Sequence, residues 1–328
     1  MSRTVVILHP GGFGDLLLAI PAIRGLRERF PLHQIILYGH AEAAQLLVEC
    51  GLIDRGLSAQ SAACTALFGG MPPDDPLLRD WLSRCDFAVA WTRDETGTVA
   101  AALSSSGAAA VVVESPFAPA LSSTHQSDRF IEIMGGQARQ ASMARLAIPN
   151  AVREEADACL AGYRIRQEQP IAMVHPGSGS RHKCVTPAVL LPVLEGLEAE
   201  GLEPVLLEGP ADHEMVEQLS GRLSHYPVCL SGLSVRLLAG VLARADVFLG
   251  HDSGVTHLAA LLGTPTVALF GPTDPSRWAP RGSAVTAISG SLCRCASWEA
   301  VKACVEKRCL EICSETILAA CRGVRASV

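Results

Sequence analysis

Lysine is the scarcest charged residue in this sequence of 328 residues. Lys183, Lys302 and Lys307 are its three lysines, and with 27 Lys and Arg in total this leaves 24 arginines. No lysine therefore stands in the first 182 residues. The formal net charge is −6, which excludes the strongly basic surface that binding of duplex nucleic acid requires.

Long apolar runs of the kind that cross a membrane are also missing. Two stretches carry no Asp, Glu, Lys or Arg, 96–113 and 253–273, but Ser, Thr and Gly interrupt both. We interpret each as a helix followed by a buried strand. The N-terminus shows no cleavage pattern of a secretory signal. The sequence therefore predicts a cytoplasmic protein whose twelve cysteines are reduced.

Half of the cysteines lie close together near the C-terminus. They are Cys293, Cys295, Cys304, Cys309, Cys313 and Cys321. Their spacing contains no C-x-x-C pair of the kind typical of zinc or iron sites. We favour structural thiols over a metal site, and leave the metal site open as the alternative.

A strand, a glycine loop and a helix occur twice in the same order. The β-branched run 4–8 leads into His-Pro-Gly and a helix pattern over 15–30, and the run 171–174 leads into a second His-Pro-Gly. Further strands predicted in the first half are 34–38, 87–91 and 109–113.

In the second half we predict strands 204–208, 247–250 and 266–270, with helices 187–200, 213–223, 235–245 and 254–262. This alternation predicts two doubly wound α/β domains, 1–165 and 166–328, with a ligand cleft at the carboxyl ends of their strands. The largely helical segment 297–326 is expected to pack back on the first domain.

The first glycine loop contains Gly12 and Gly14 but departs from a dinucleotide fingerprint. Leu17 stands where the third glycine would be, and the second strand ends at Tyr38 and Gly39 without an acid for a ribose hydroxyl. A nicotinamide-dependent oxidoreductase is therefore a weakened alternative. A non-catalytic two-domain protein that closes on a sugar or nucleotide is another alternative.

Asp15 follows this loop at the start of the helix. It can serve as an N-cap that satisfies helix N–H groups, or as a general base that takes a proton from an attacking hydroxyl. The two roles are compatible, because a capping geometry would fix the carboxylate.

The second loop, 177–183, holds the first lysine of the chain. Ser178, Ser180 and Lys183 combine small hydroxyl groups, glycine N–H groups and one cation, as in a phosphate-binding loop. The alternative is that Lys183 is a solvent-exposed surface lysine that binds no ligand.

A third group of residues lies between a predicted strand and helix. It comprises Asp252, Ser253, Gly254 and His257, which can bind sugar hydroxyls and phosphate or serve only as a helix cap and a core histidine. The chain has no Asp-x-Asp and no His-Glu-x-x-His motif, so we expect no obligatory metal and no other cofactor.

These motifs resemble glycosyltransferase family 9, the ADP-heptose:lipopolysaccharide heptosyltransferases. The N-terminal mark is the run 11–22, with its glycines, Asp15 and Pro21. The stronger mark is the ordered string from Asp252 through Gly263-Thr264-Pro265 to Phe270-Gly271-Pro272-Thr273-Asp274-Pro275. The resemblance implies the GT-B architecture, in which two Rossmann-like domains face each other across a catalytic cleft.

The resemblance also implies a reaction, partners and residue roles. An inverting, metal-independent enzyme would move heptose from ADP-heptose to a lipopolysaccharide core acceptor, with peripheral contact at the inner face of the inner membrane. Asp15 would be the general base and Lys183 would neutralise the leaving diphosphate. The donor-binding residues would be Ser178, Ser180, Lys183, Leu233, Asp252, Ser253, Gly254 and His257, with Gly12 and Gly14 in the acceptor-side loop.

One departure from the family pattern concerns the residues after the loop lysine. The family often has a residue, Trp and Pro there, whereas Lys183 is followed by Cys184-Val185-Thr186-Pro187. The packing around the lysine is therefore expected to differ.

Overall fold

The structure is a computed structural model that describes residues 2–117, 123–136, 145–223 and 227–327. The chain divides into two compact units, Met1–Met143 and Ala144–Val328. This division precedes the 165/166 boundary expected from the sequence, because helix α8 (Asn150–Gly162) packs on helix α11 (Val235–Arg244) of the second unit.

The first unit is built on a parallel sheet of five strands in the order β3-β2-β1-β4-β5. The strands are β1 (Thr4–Leu8), β2 (Gln34–Gly39), β3 (Arg55–Ser58), β4 (Cys85–Ala90) and β5 (Val111–Val113). The helices are α1 (Phe13–Leu18), α2 (Ile20–Arg29), α3 (Ala41–Glu49), α4 (Ala62–Phe68), α5 (Pro76–Ser83), α6 (Thr98–Ser105) and α7 (Gln126–Ile133). β1 suits the central position because all five of its residues are buried.

The single helix predicted over 15–30 is wrong. α1 ends at Leu18, and α2 begins at Ile20 with Pro21 in its first turn. Proline has no N–H to continue the hydrogen bonds of a preceding helix, but it is well suited to the first turn of a new one. Ala19 is therefore both the C-cap of α1 and the N-cap of α2.

The second unit is built on a parallel sheet of six strands in the order β11-β10-β9-β6-β7-β8. The strands are β6 (Ile171–His175), β7 (Glu203–Glu208), β8 (Val228–Ser231), β9 (Val247–His251), β10 (Thr266–Phe270) and β11 (Val285–Ser289). Its helices besides α8 and α11 are α9 (Pro187–Ala199), α10 (His213–Ser220), α12 (Gly254–Leu262), α13 (Pro275–Trp278), α14 (Trp298–Ala303) and α15 (Ser314–Arg325). Two short 3-10 turns cover Arg181–Lys183 and Arg308–Leu310.

The α/β class and the two Rossmann-like units are confirmed. Both charge-free stretches form a helix followed by a strand, as predicted: α6 with β5, and α12 with β10. None of the helices in the described ranges is long and apolar enough to cross a membrane. Three strands escaped prediction, β3, β8 and β11, which lie at sheet edges and are only partly buried.

The C-terminal segment packs on the second unit. α15 contacts α9 and strands β9, β10 and β11, and its Ile317, Cys321 and Val324 belong to the apolar core of that unit. The apolar face of α15 thus covers part of the second sheet, and the expected contact of this segment with the first domain stays a prediction.

Candidate active site

The repeated His-Pro-Gly sequences occupy equivalent places in the two sheets. β1 leads directly into His9 and β6 ends at His175, and each of these strands lies between two parallel neighbours. The loops that follow therefore lie at the carboxyl edge of each sheet, where α/β proteins bind ligands.

Asp15 lies in the first of these loops, in the first turn of α1. Its carboxylate Oδ2 accepts a hydrogen bond from the backbone N–H of Gly12 at 3.1 Å. The N-cap of α1 is Gly12, so Asp15 stabilises the helix start from its third position. Gly14, the other predicted loop glycine, lies within α1. The hydrogen bond fixes the carboxylate while leaving Asp15 on the wall of a pocket of about 340 Å³.

Aromatic side chains form much of that pocket wall. His9, Trp91 and Phe130 line the pocket with Asp15, and the rings of Trp91 and Phe130 lie 5.0 Å apart, edge to face. Burial lowers the pKa of His9 to about 4, so its imidazole is neutral at physiological pH. Sequence reasoning missed this wall. The signals available were the repeated His-Pro-Gly and the position of Trp91 directly after β4.

The loop after β2 contains a cap instead of a ribose-binding acid. His40 is the N-cap of α3, and its Nδ1 accepts a hydrogen bond from Ala43 N–H at 3.4 Å. The place where a dinucleotide-binding protein would carry an acid is thus occupied by a capping imidazole.

In the second unit, the predicted residues Ser178, Lys183 and Asp252 come together. Lys183 Nζ lies 2.7 Å from Asp252 Oδ2, and the Ser178 hydroxyl donates to the Asp252 backbone carbonyl at 2.8 Å. Thr273, which the sequence reasoning left without a role, donates its hydroxyl to the same Oδ2 at 2.8 Å. The Asp252 side chain is 9% exposed and that of Lys183 is 24% exposed. A cation is thus held at the edge of the sheet by a buried carboxylate.

The N-terminus of α12 lies next to this ion pair. Ser253 is its N-cap and accepts a hydrogen bond from Thr256 N–H at 3.4 Å, and Gly254 is the first helical residue. A helix N-terminus favours anions, since its first N–H groups have no partner within the helix. His257 lies one turn further along α12 and is buried.

The two other predicted donor residues, Ser180 and Leu233, lie on connections of the same unit. Ser180 caps the 3-10 turn that contains Lys183, accepting from His182 N–H at 3.4 Å. Leu233 is half-buried in the connection between β8 and α11.

A buried carboxylate, that of Asp212, packs against the loop 177–183 that carries Lys183. Its Oδ2 lies 2.9 Å from His175 Nε2 and accepts Gly209 N–H at 3.0 Å. Burial opposes ionisation of Asp212, but the hydrogen bond and charge of His175, with backbone N–H groups of Gly209 and Ser178, hold its pKa below the ordinary value. His175 Nδ1 in turn lies 3.4 Å from the Ser253 hydroxyl. His175 thus connects the buried Asp212 to Ser253, the N-cap of α12.

A buried histidine supports the other end of the loop. His251 Nε2 accepts a hydrogen bond from Val185 N–H at 3.0 Å, and burial lowers the pKa of His251 to about 4. Cys184, beside the lysine, has its thiol pKa raised by burial to about 12, which leaves it unreactive. The loop is therefore held by a carboxylate at one end and a neutral imidazole at the other.

The position of Asp212 predicts different effects of alanine substitution at two glycines of the same loop. A Cβ at Gly177 would lie 1.7 Å from Asp212 Oδ1, whereas a Cβ at Gly179 has nothing within 4 Å. We expect Gly177→Ala to lower the free energy of unfolding by about 1–3 kcal/mol, because Asp212 must leave its hydrogen bonds. Gly179→Ala should change it by less than about 1 kcal/mol. Denaturant unfolding of both variants checks this, and equal behaviour would contradict it.

The same carboxylate predicts a dependence of stability on pH. Asp212→Ala should cost about 3 kcal/mol of unfolding free energy at neutral pH, because it leaves His175 and backbone N–H groups unpaired in the interior. Since the pKa of Asp212 is lower in the folded chain, its contribution is present above the ordinary carboxyl range and is lost as the pH falls through the folded value. Urea unfolding from pH 7 to acid should show the difference from wild type shrinking. Asp74→Ala, at a fully exposed carboxylate, should change stability by at most about 0.5 kcal/mol.

The cysteines were the candidate ligands of the alternative metal site. All twelve cysteines fall within the described ranges and none is in a disulfide. In those ranges, no three His, Cys, Asp or Glu side chains are placed to hold a metal ion together.

Comparison with known proteins relates this geometry to one family. Residues 124–310 match the family model of glycosyltransferase family 9 (heptosyltransferase). Lipopolysaccharide heptosyltransferase 3 of Escherichia coli is 32% identical over 116 residues, which are 34% of this chain. The matched stretch also spans only about a third, 34%, of the length of that relative.

Two solved structures resemble the chain over nearly its full length. A family 9 glycosyl transferase from Veillonella parvula DSM 2008 has a TM-score of 0.81 at 18% identity, covering 99% of this chain and 98% of its own. The E. coli ADP-heptose lps heptosyltransferase II has a TM-score of 0.76 at 16% identity, covering 98% of each chain. At these identities the likeness concerns the fold, and it confirms the GT-B class.

Proposed function

The chain belongs to glycosyltransferase family 9, the heptosyltransferases, and from this premise we propose that it transfers heptose from ADP-heptose to a lipopolysaccharide inner-core acceptor. The observation that carries the proposal is the group formed by Lys183, Asp252 and the N-terminus of α12. It combines a cation, a carboxylate and the N-terminus of a helix, which suit a donor with a diphosphate and a hydroxylated sugar.

In the proposed donor site, each side chain meets a different part of the nucleotide sugar. Lys183 neutralises the diphosphate, and the Ser178, Ser180 and Ser253 hydroxyls with the Gly254 N–H bind its oxygens. Asp252 and His257 bind the sugar hydroxyls, while Leu233 borders the base. The Lys183–Asp252 pair supports this division, because it already holds the cation and the sugar-binding carboxylate next to each other.

The acceptor is proposed to bind in the first unit. Asp15 lies on the wall of a pocket with aromatic sides, next to the loop of Gly12 and Gly14. Aromatic faces are suited to the apolar faces of sugar rings, and a fixed carboxylate is suited to remove a proton from an acceptor hydroxyl. Neutral His9 adds no competing positive charge to this pocket.

The proposed mechanism is a single displacement with inversion. Asp15 takes the proton of the acceptor hydroxyl as its oxygen forms a bond to the anomeric carbon, and the bond to ADP breaks on the opposite side. Lys183 stabilises the negative charge that develops on the leaving diphosphate. This cation supplies the charge that other transferases obtain from a divalent metal, so we propose that the reaction requires none. A lipid-linked core acceptor would bring the enzyme into peripheral contact with the inner face of the inner membrane.

Calorimetric titration with ADP, ADP-heptose, UDP-glucose and NADH tests the donor assignment. We expect saturable binding of ADP and ADP-heptose alone, and turnover that survives EDTA. Binding of a different sugar nucleotide would overturn the ADP-heptose assignment but not the reaction class. Saturable NADH binding would instead favour the oxidoreductase alternative, and loss of turnover in EDTA would overturn metal independence.

A further inference from the structure

Two of the three lysines of the chain meet at one loop of the second unit. Lys183 lies in the loop itself, and Lys307 Nζ lies 3.1 Å from Nδ1 of the neighbouring residue His182. Lys302, on α14, is close enough for its charge to act on His182. In a chain that otherwise uses arginine, Lys183 and Lys307 thus lie at the loop that is proposed to bind the diphosphate of the donor.

The segment that carries the two later lysines is fastened to the second unit. Gly290 N–H donates to the Cys309 carbonyl at 3.1 Å and Ser291 N–H to that of Arg308 at 3.2 Å. A Cβ at Gly290 would lie 2.5 Å from the Arg308 carbonyl oxygen, so the two backbones can approach only because this residue is glycine. Cys309 and Leu310 anchor the segment in the apolar core. Lys307 therefore projects from a firmly placed turn.

The same segment supplies an aromatic ring to the loop lysine. The Trp298 ring centroid lies 6.0 Å from Lys183 Nζ, at the outer limit of a cation–π contact. The family's tryptophan after the loop lysine is missing here, and Trp298 brings an indole to that lysine from a distant part of the chain. The C-terminal segment thus borders the proposed donor site with both an aromatic ring and a cation.

His182 is suited to orient the Lys307 ammonium. Burial together with the charges of Lys307, Arg181 and Lys302 lowers the pKa of His182, so its ring is neutral and Nδ1 can accept a hydrogen bond from Nζ. An ammonium group has three N–H donors, and the bond to His182 occupies one of them. The Lys307 backbone is in the left-handed region (φ 42°, ψ 44°), which is uncommon for a residue other than glycine and is often found at functional sites.

Charge balance in the proposed reaction calls for more than Lys183. A nucleoside diphosphate carries a negative charge on each phosphate while it is bonded to the sugar, and gains another as that bond breaks. Lys183 shares its charge with Asp252 at 2.7 Å. A further cation next to the loop would therefore stabilise the leaving group as its charge grows.

We propose that Lys307, oriented by His182, is a second cation of the donor site and binds the β-phosphate of the nucleotide. This rests on the proposed function. The competing explanation is that Lys307 and His182 only fasten the C-terminal segment to the loop.

Calorimetric titration of ADP and AMP separates these explanations. For Lys307→Met we expect roughly tenfold weaker ADP binding, as for loss of one charge-assisted hydrogen bond, with AMP binding changed less than about twofold and the unfolding midpoint unchanged. Lys302→Met removes the same charge from the same segment and should leave ADP affinity within about twofold of wild type. His182→Ala should weaken ADP binding several-fold, whereas His182→Asn, whose amide oxygen can accept from Nζ, should restore most of it.

Each other result has a definite meaning. If wild type binds no ADP, the proposed function fails at its donor. If wild type binds ADP and Lys307→Met binds it equally well, only the second cation is wrong. Equal losses for ADP and AMP with a lowered unfolding midpoint would show a purely structural role. Unchanged ADP affinity with a raised KM for the acceptor would assign Lys307 to an acceptor anion instead, and would also overturn the proposal.

Discussion

Asp15→Asn should reduce kcat roughly a hundredfold to ten-thousandfold, because an amide cannot accept the proton of the acceptor hydroxyl. The amide oxygen can still accept the hydrogen bond from Gly12 N–H, so α1 should remain capped and the fold intact. Initial rates of ADP release, measured in the presence of acceptor, give kcat directly.

Two controls make the result on Asp15 specific. ADP-heptose affinity should stay within about twofold of wild type, since the donor site is assigned to the second unit. Asp15→Glu retains a carboxylate but displaces it, so it should recover part of the rate. A kcat for Asp15→Asn within a few-fold of wild type would remove Asp15 as the base and leave it the role of a helix-capping residue.

Lys183→Met should have the second large effect. We expect kcat to fall roughly a hundredfold to a thousandfold, as for loss of a group that stabilises charge in the transition state. ADP affinity should fall as well, because the same cation holds the diphosphate before reaction. Lys183→Arg retains the positive charge but places it on a planar guanidinium group, so it should recover only part of the lost kcat.

Thr273→Val distinguishes lost catalysis from a disturbed Asp252. The substitution removes the other donor to Asp252 Oδ2 without changing any charge. If the effect of Lys183→Met arose only from a misplaced Asp252, Thr273→Val would reproduce much of it. We expect Thr273→Val to lower kcat less than about tenfold, and an equal loss in the two variants would contradict the assignment of Lys183 to the leaving group.

The parts of the fold that local sequence patterns specify were predictable. The apolar runs that became β1 and β6 are buried throughout, and such strands are recognisable in the sequence as apolar runs of the right length. Ser253 before an apolar helix predicted the start of α12 correctly. The break between α1 and α2 was missed because the apolar spacing continues through Pro21.

The residues that sequence reasoning missed are joined to the site by long-range contacts. Asp212 reaches His175 across 37 positions, and Lys307 reaches His182 across 125. No helix or strand period links such positions, and each pair is set by where separate loops meet at the edge of a sheet. Thr273 lies in the motif that carried the family resemblance, yet only its contact with Asp252 indicates a role. The scarcity of lysine was the one compositional signal that pointed to this loop in advance.

The most direct test of the central claim is product analysis by mass spectrometry. Purified protein would be incubated with ADP-heptose and a lipopolysaccharide core acceptor that lacks the heptose. The account predicts that the acceptor gains the mass of one heptose as ADP is released, and that Asp15→Asn shows neither change. An acceptor whose mass stays unchanged with ADP-heptose, but increases by another sugar when a different sugar nucleotide is supplied, would contradict the claim.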